Sequence, residues 1–423
     1  MHANNRDVDC YYGKMLDTMI KVGILKETKH PVDNRVALAP EQIVSLQERF
    51  PRAKFYVQKS DIRAYSDDDY SSVGVSVVDN VSDCDVLFGI KEADIQTLLP
   101  NKHYVFFGHI AKEQPYNQPL IRKMVELGIT FSDYEYFVDD NDQRLCAFGW
   151  WAGVVGTYNS LRAYGIKYKL FELPKPDLKF TLEKLLSNVK EIAHLCRCKV
   201  VLTGAGRVSQ GAQYVMNHIE ASKVTPNDFL ELSDVDKLTY VVLDVENLVE
   251  NNDPSIAFDF KDFIANGHNY KSAFAKYSYV ADVLISCHFW SPGHPVYLDN
   301  NLLKDPRLKI KVIGDITCDI QGSIMSTLRA STHDEPFYDF CTETLSEASP
   351  FSNPANITVM AVDTCPNALA IDTSRYFGEA LSEHVFPLIL NGKTDNPIIA
   401  RATILKDGRL TDRYMYLKEY AGL

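Results

Sequence analysis

The stretch LTGAGRVSQGAQYVM, residues 202–216, decides how the rest of this 423-residue chain is read. It sets Gly204, Gly206 and Gly211 between a short valine-rich run, CKVVLTG, and what reads as the start of a helix. A glycine-rich turn after a buried strand lets backbone N–H groups approach a pyrophosphate and aims a helix N-terminus at its charge. The third glycine arrives later than in G-x-G-x-x-G, so the motif alone leaves two readings open: a dinucleotide cradle, or a tight turn that needs glycine. The rest of the chain has to choose between them.

Upstream of the loop, IKVGIL, KFYVQ, DVLFGI, HYVFFG and ITFSDY read as strands, and APEQIVSLQERF and QPLIRKMVELG as helices. Downstream, TYVVLDV, ADVLISCHFW and KIKVIGDIT continue the strand pattern. This alternation predicts an α/β protein with two Rossmann-like, doubly wound parallel-sheet domains and an interdomain cleft. The apolar, small-residue-rich FGWWAGVVGTYNSLRAYG is long enough to cross between the domains as a helix. The expected division is a flexible leader over residues 1–20, a substrate domain over 21–150 with 325–423, and a dinucleotide-binding domain over 151–324. In that division NITVMAVD and SRYFGEALSEHVFPLIL belong to the return into the first domain.

Composition narrows the function classes. A 46% hydrophobic and 24% charged content is that of a soluble globular protein. No apolar run approaches the ~20 residues that span a bilayer, so no membrane partner is expected. The first residues carry acidic groups and no apolar h-region, which argues against a secretory signal and leaves the cytoplasm as default. A net charge of −12 argues against nucleic acid, whose binding needs a basic face. The nine cysteines are odd in number and scattered, as reduced thiols would be. Cys196 and Cys198 form a C-x-C with no second pair, so no metal site is expected.

Charged residues gather where ligands bind in open α/β sheets, at strand ends. DVLFGI delivers Lys91 and Glu92, HYVFFG delivers His109, SDYEYF holds Glu135, and Arg35 and Arg144 lie just after the first strand and just before the long helix. Singly, each has a plain explanation as a loop end, a core histidine or a surface pair. Together they suggest a binding site for acidic small molecules, which an acidic protein must grip with particular arginines and lysines.

The stretches GILKETKHPVDNRVALAP, LFGIKEAD, VFFGHIAK and RLCAFGWWAGVVG resemble the N-terminal domain of the lysine-forming saccharopine dehydrogenases, a group that shares its fold with alanine dehydrogenase and the transhydrogenase nucleotide-binding subunit. TGAGRVSQGAQ, GDITCDIQGSI and DGRLTDRYMY are similar to the lysine 2-oxoglutarate reductase half of the bifunctional lysine-degrading enzyme. The resemblance runs from about residue 20 to the C-terminus. It implies an NAD(P)-dependent dehydrogenase acting on CH–NH bonds, which condenses lysine with 2-oxoglutarate and reduces the adduct reversibly to saccharopine.

The resemblance also implies roles. Lys91 and His109 would handle protons, Arg35 and Arg144 would bind substrate carboxylates, and Glu92 and Glu135 would tune the pair or hold the amine. Gly204, Ala205, Gly206, Arg207, Val208 and Gly211 would carry the dinucleotide. Asp315 and Asp319 would face the nicotinamide, where each either accepts a hydrogen bond from ligand or caps the helix that follows. The acid that usually marks NAD, about 20 residues past the loop, is missing: the first is Asp228, and Asp244 follows only after an insertion. The resemblance leans slightly toward NADP. An alanine dehydrogenase-like enzyme and a catalytically silent nucleotide-binding relative are the alternatives, and a homo-oligomer is compatible with either.

Overall fold

The computed structural model describes residues 19–423, so the expected leader lies almost wholly outside the described residues. The chain divides into two compact units, one running to Ala147 and resuming over Ala370–Leu423, the other formed by Phe148–Leu369.

Unit one begins with strands β1 (Ile20–Ile24), β2 (Ala53–Gln58), β3 (Ser76–Val78), β4 (Val86–Phe88), β5 (His103–Phe106) and β6 (Thr130–Asp133). They lie parallel in the order β3-β2-β1-β4-β5-β6. Strands covered on both faces need continuous apolar runs, and Val22, Ile24, Leu87, Phe88, Val105 and Phe106 are all buried here. Helix α1 (Pro40–Arg49) starts with proline in its first turn and turns Ile43 and Leu46 inward; α2 (Gln118–Glu126) buries Leu120, Ile121 and Met124.

Unit two opens with α3 (Gly149–Tyr168), apolar on nearly every side and buried from Gly153 to Gly165. Seen in sequence as a bridge between domains, it belongs wholly to unit two. Next come β7 (Lys199–Thr203), α4 (Arg207–His218), β8 (Ser222–Lys223), β9 (Thr239–Leu243), the hairpin β10 (Val249–Asn251) and β11 (Tyr270–Ser272), then β12 (Val283–Ser286) and β13 (Val312–Asp315). β14 (Phe337–Cys341), β15 (Ser346–Ala348) and β16 (Ile357–Met360) complete the unit. The sheet order is β15-β14-β16-β13-β12-β7-β9-β8, parallel from β16 to β8, with β14 and β15 antiparallel.

The second sheet corrects the expected boundary. β16 pairs with β13 and β14 pairs with β16, so residues 325–369 stay in unit two. The chain re-enters unit one with α5 (Ala370–His384), and adds β17 (Thr403–Lys406) and β18 (Arg409–Leu410) antiparallel beyond β6. Among the described residues no helix is long and apolar enough to cross a membrane, and no group of His, Cys, Asp or Glu could hold a metal ion. Cys196 and Cys198 are buried free thiols beside β7.

Candidate functional site

In unit one, four neighbouring strands, β1, β4, β5 and β6, deliver the charged residues picked out in sequence: Lys91, Glu92, His109 and Glu135 come just past the carboxyl ends of β4, β5 and β6, and Arg35 and Arg144 come further along the segments after β1 and β6. Glu92 is buried and bridges two side chains, with His109 Nδ1 at 3.0 Å from its Oε1 and Lys29 Nζ at 2.5 Å from its Oε2. Burial works to raise the Glu92 carboxyl, yet the hydrogen bonds from His109 and Lys29 hold it down at about 2. The carboxylate therefore stays charged and fixes the imidazole. His109 itself adopts a left-handed backbone, φ 51°.

On the next strand, Asp133 Oδ2 accepts the Gly108 N–H at 3.0 Å and Oδ1 the Glu135 N–H at 2.9 Å. Burial pushes this carboxyl up to about 6. Glu135 is buried while its partners Arg144 and Lys112 are each half exposed; both reach the same oxygen, Oε1, Lys112 Nζ at 2.8 Å. Burial opposes ionisation of Glu135, but Arg144 and Lys112 lower its carboxyl below the ordinary value. Its other oxygen, Oε2, is buried with no hydrogen-bond partner. A buried acceptor without a donor is costly, and a ligand ammonium would satisfy it.

Around Lys91 the sequence reading missed two groups. Glu27 takes the backbone N–H of Ile90 at 2.7 Å and of Lys91 at 2.9 Å, one on each oxygen. Burial, reinforced by Asp33, pushes Glu27 up to about 8. Asp33, almost fully buried, would be raised likewise, but Arg35 and Lys91 keep it below the usual carboxylate range. Arg35 is only 4% exposed and grips Asp33 through Nε at 2.9 Å and Nη2 at 2.5 Å. One edge of its fork thus holds Asp33, as Arg144 holds Glu135. Glu27, Asp33, Asp133, Lys29 and Lys112 are the residues sequence reasoning passed over. The signal was there, since all five lie in the quoted strand-end stretches or within the same turns.

In unit two, the glycine loop follows β7 and leads into α4, whose N-cap is Gly206. Gly204 has φ 80°, and a Cβ there would lie 2.8 Å from the His288 Cα, so both conformation and space require glycine. A Cβ on Gly206 would meet nothing within 4 Å. Ala205, Gly206 and Arg207 are exposed, and α4 runs for 12 residues behind them. Open space before exposed N–H groups at a helix start fits a pyrophosphate. Val208 is half buried one residue into the helix.

Three features of unit two bear on these expectations. A Cβ on Gly211 would overlap the Trp150 carbonyl, and one on Gly153 the Val208 carbonyl, so the contact of α4 with α3 by itself requires glycine at Gly211. Asp315 is fully buried, with Thr317 Oγ1 at 2.7 Å from one oxygen and Thr327 Oγ1 at 2.6 Å from the other. Burial pushes it up to about 6, and both of its oxygens are engaged in organising the turn. Asp319, half buried in that turn, is the member of the pair nearer the surface. Third, the strand beside β7 is β9, not β8. The Gly204 N–H donates to the Leu243 carbonyl at 2.7 Å, which sets exposed Asp244 at the strand end next to the glycine loop.

The alanine dehydrogenase/PNT N-terminal domain model matches residues 23–155. The chain is 32% identical to the alpha-aminoadipic semialdehyde synthase of Arabidopsis thaliana, over 94% of this chain and 41% of that protein. It is 26% identical to the mitochondrial alpha-aminoadipic semialdehyde synthase of Rattus norvegicus, over 94% of this chain and 47% of that one. The chain thus spans less than half the length of these relatives. Against the saccharopine dehydrogenase [NAD(+), L-lysine-forming] of Yarrowia lipolytica the identity is 23%, over 92% of this chain and 97% of the relative. An L-alanine dehydrogenase structure superposes with a TM-score of 0.63 at 15% identity, covering 95% of this chain and 99% of that one, and shows the shared fold. The chain is thus similar to the alpha-aminoadipic semialdehyde synthases over part of their length and to the lysine-forming saccharopine dehydrogenases over most of theirs, and its residues 23–155 match the alanine dehydrogenase/PNT N-terminal domain model.

Proposed function

We propose that this chain is a nicotinamide-dependent oxidoreductase that joins the side-chain amine of lysine to the ketone of 2-oxoglutarate and reduces the adduct to saccharopine, in a reversible reaction. The observation that carries the reading is the gathering of Lys91, His109, Glu92 and the Glu135–Lys112–Arg144 cluster past the ends of three adjacent strands in unit one, β4, β5 and β6. When bound, the nicotinamide supplies the hydride to the adduct or takes it back. Gly204, Ala205, Gly206 and Arg207 would hold its pyrophosphate.

The chain's own residues have the proton work. Addition of the amine to the ketone and loss of water each move a proton. His109, held through Nδ1 by a charged Glu92, exchanges protons at Nε2. Lys91 lies among Glu27, Asp33 and Arg35, and a lysine in such company serves as the second proton carrier. The unpartnered Glu135 Oε2 receives the incoming ammonium, and half-exposed Arg144 offers its fork to a keto-acid carboxylate, with Arg35 buttressing Asp33 behind Lys91.

For the cofactor, Asp244 favours NAD(H) over the NADP(H) toward which the resemblance leans. A carboxylate at the end of the strand beside the glycine loop accepts ribose hydroxyls and repels a 2′-phosphate. Asp244→Ser should shift the ratio of NADH to NADPH efficiency toward NADPH by about tenfold or more, one charged hydrogen bond's worth; an unchanged ratio would remove Asp244 from the ribose site. The activity itself is tested by following NADH and NADPH oxidation with 2-oxoglutarate against a panel of amino acids. Oxidation that requires lysine is expected. Oxidation with pyruvate and ammonia instead would favour the alanine dehydrogenase reading, and none with any pair would favour a silent relative.

A further inference from the structure

The motif DGRLTDRYMY, residues 407–416, carries part of the resemblance yet has no part in the chemistry above. Its continuation runs through a 3-10 segment, Asp412–Leu417, into a short helix, Lys418–Ala421. Tyr416 and Tyr420, four residues apart, lie on one face of that tail. The Tyr416 hydroxyl donates to the Ala111 carbonyl at 2.9 Å, and the Tyr420 hydroxyl to the Gln114 carbonyl at 2.5 Å.

Those two carbonyls belong to the turn that bears His109 and Lys112. The turn is a 3-10 segment, Ile110–Lys112, flanked by His109 at φ 51° and Glu113 at φ 53°. Two non-glycine residues in the left-handed region make the turn costly, and such a conformation persists only where its surroundings hold it. Its ends are held within the first half of unit one: at Gly108 the N–H donates to Asp133 Oδ2 at 3.0 Å and the carbonyl accepts from Asn117 Nδ2 at 2.9 Å, and at the far end the Gln114 carbonyl accepts the Asn117 N–H at 3.0 Å. Its middle is held by the tail. The tail is in turn fastened by Arg122 Nε, which donates to the Tyr420 carbonyl at 3.3 Å, and by Tyr414, whose hydroxyl donates to the Arg401 carbonyl at 2.7 Å and whose ring meets Tyr136 edge-on.

We propose that Tyr416 and Tyr420 are positioning residues, whose hydroxyls hold the 109–114 turn in the conformation that presents His109 to Glu92 and Lys112 to Glu135. The catalytic part of this statement rests on the function proposed above, whereas the structural part does not.

The test uses the full chain with both tyrosines changed to phenylalanine, which removes the hydroxyls and keeps the rings. Hydrogen exchange of the peptide spanning 107–117 should quicken by on the order of tenfold, with exchange in β5, β6 and unit two unchanged. The His109 imidazole ¹⁵N signal should shift, and kcat should fall by about the same factor while the cofactor Kd stays put. Unchanged exchange together with an unmoved His109 signal overturns the proposal, and so does a loosened turn with kcat intact. If the double variant fails to fold, Tyr416→Phe alone carries the same readouts, since its ring is exposed and its hydroxyl reaches Ala111. Should the parent protein not turn over lysine and 2-oxoglutarate, the proposed function fails while exchange and the His109 signal still decide what the tail does.

Discussion

In unit one the candidate site is crowded with ionisable side chains, whereas the loop after β7 in unit two offers backbone and open space. Glu27, Asp33, Glu92, Asp133 and Glu135 are all buried, and each is tied to a cation or to backbone N–H groups. At Gly206 a side chain would meet nothing. The contrast is the one the proposed function calls for. Moving protons needs side chains whose ionisation is set by burial and neighbours. Binding a pyrophosphate needs N–H groups that nothing else covers.

The largest expected effect lies on the crowded side. Lys91→Met and His109→Gln should each slow turnover by ~10²–10⁴, the usual cost of losing an acid–base group, with cofactor affinity unchanged because that site is in the other unit. A loss of less than about twofold in either variant would return that residue to a structural role. Next comes Arg144→Ala, which should raise the Michaelis constant for 2-oxoglutarate. A bidentate contact to a desolvated carboxylate is worth about 2–5 kcal/mol, and with Arg144 half exposed the lower end, roughly 30-fold, is expected. If the cofactor constant moved instead, Arg144 would have to be reassigned.

On the sparse side, Gly206→Val should weaken dinucleotide binding by about tenfold and leave Tm alone, whereas Gly204→Ala should lower stability by ~1–3 kcal/mol through its left-handed backbone and the approach of His288. Calorimetry and fluorescence titration separate the two, and equal effects at both glycines would erase the distinction between cradle and packing.

The smallest difference is in acid stability. Burial pushes His288 in unit two down to about 3 from 6.5, so its contribution is complete above pH 6.5 and is lost as pH falls toward 3. Glu92 in unit one is held at about 2 against a usual 4.5, so its contribution is complete above pH 4.5 and is lost between there and 2. Carboxyls raised by burial run the other way, Asp315 in unit two and Glu27 and Asp133 in unit one, each favouring the folded state as they take up protons. His103 in unit one is depressed in the same sense, to about 4, but there the raised Glu27 and Asp133 offset it, so unit two should begin to open at the higher pH when acid titration is followed by amide exchange. Unit one opening first would contradict these assignments.

Much of this was legible in sequence where an apolar run ends abruptly in charge. DVLFGI followed by Lys91 and Glu92, and HYVFFG followed by His109, announce both a strand and what it delivers. What stayed hidden depends on which neighbour the fold supplies. NITVMAVD is equally apolar whichever sheet it joins, so the stay in unit two to Leu369 could not be read from periodicity. The grip of Arg35 on Asp33 is invisible in sequence because it exists only once both are buried. The place of Asp244 beside the glycine loop is hidden too, because counting residues from that loop assumes that the next strand in sequence is the next in space, and two-residue β8 breaks that assumption.

The glycine contacts between α3 and α4 have a thermodynamic consequence. With Gly153 against the Val208 carbonyl and Gly211 against that of Trp150, the two helix backbones touch at both ends of a short span, and the first turn of α4 has little room to shift. The N–H groups ahead of it are thus ordered before any ligand arrives. Dinucleotide association should then carry a small loss of conformational entropy for the protein, with most of the ordering cost borne by the flexible ligand.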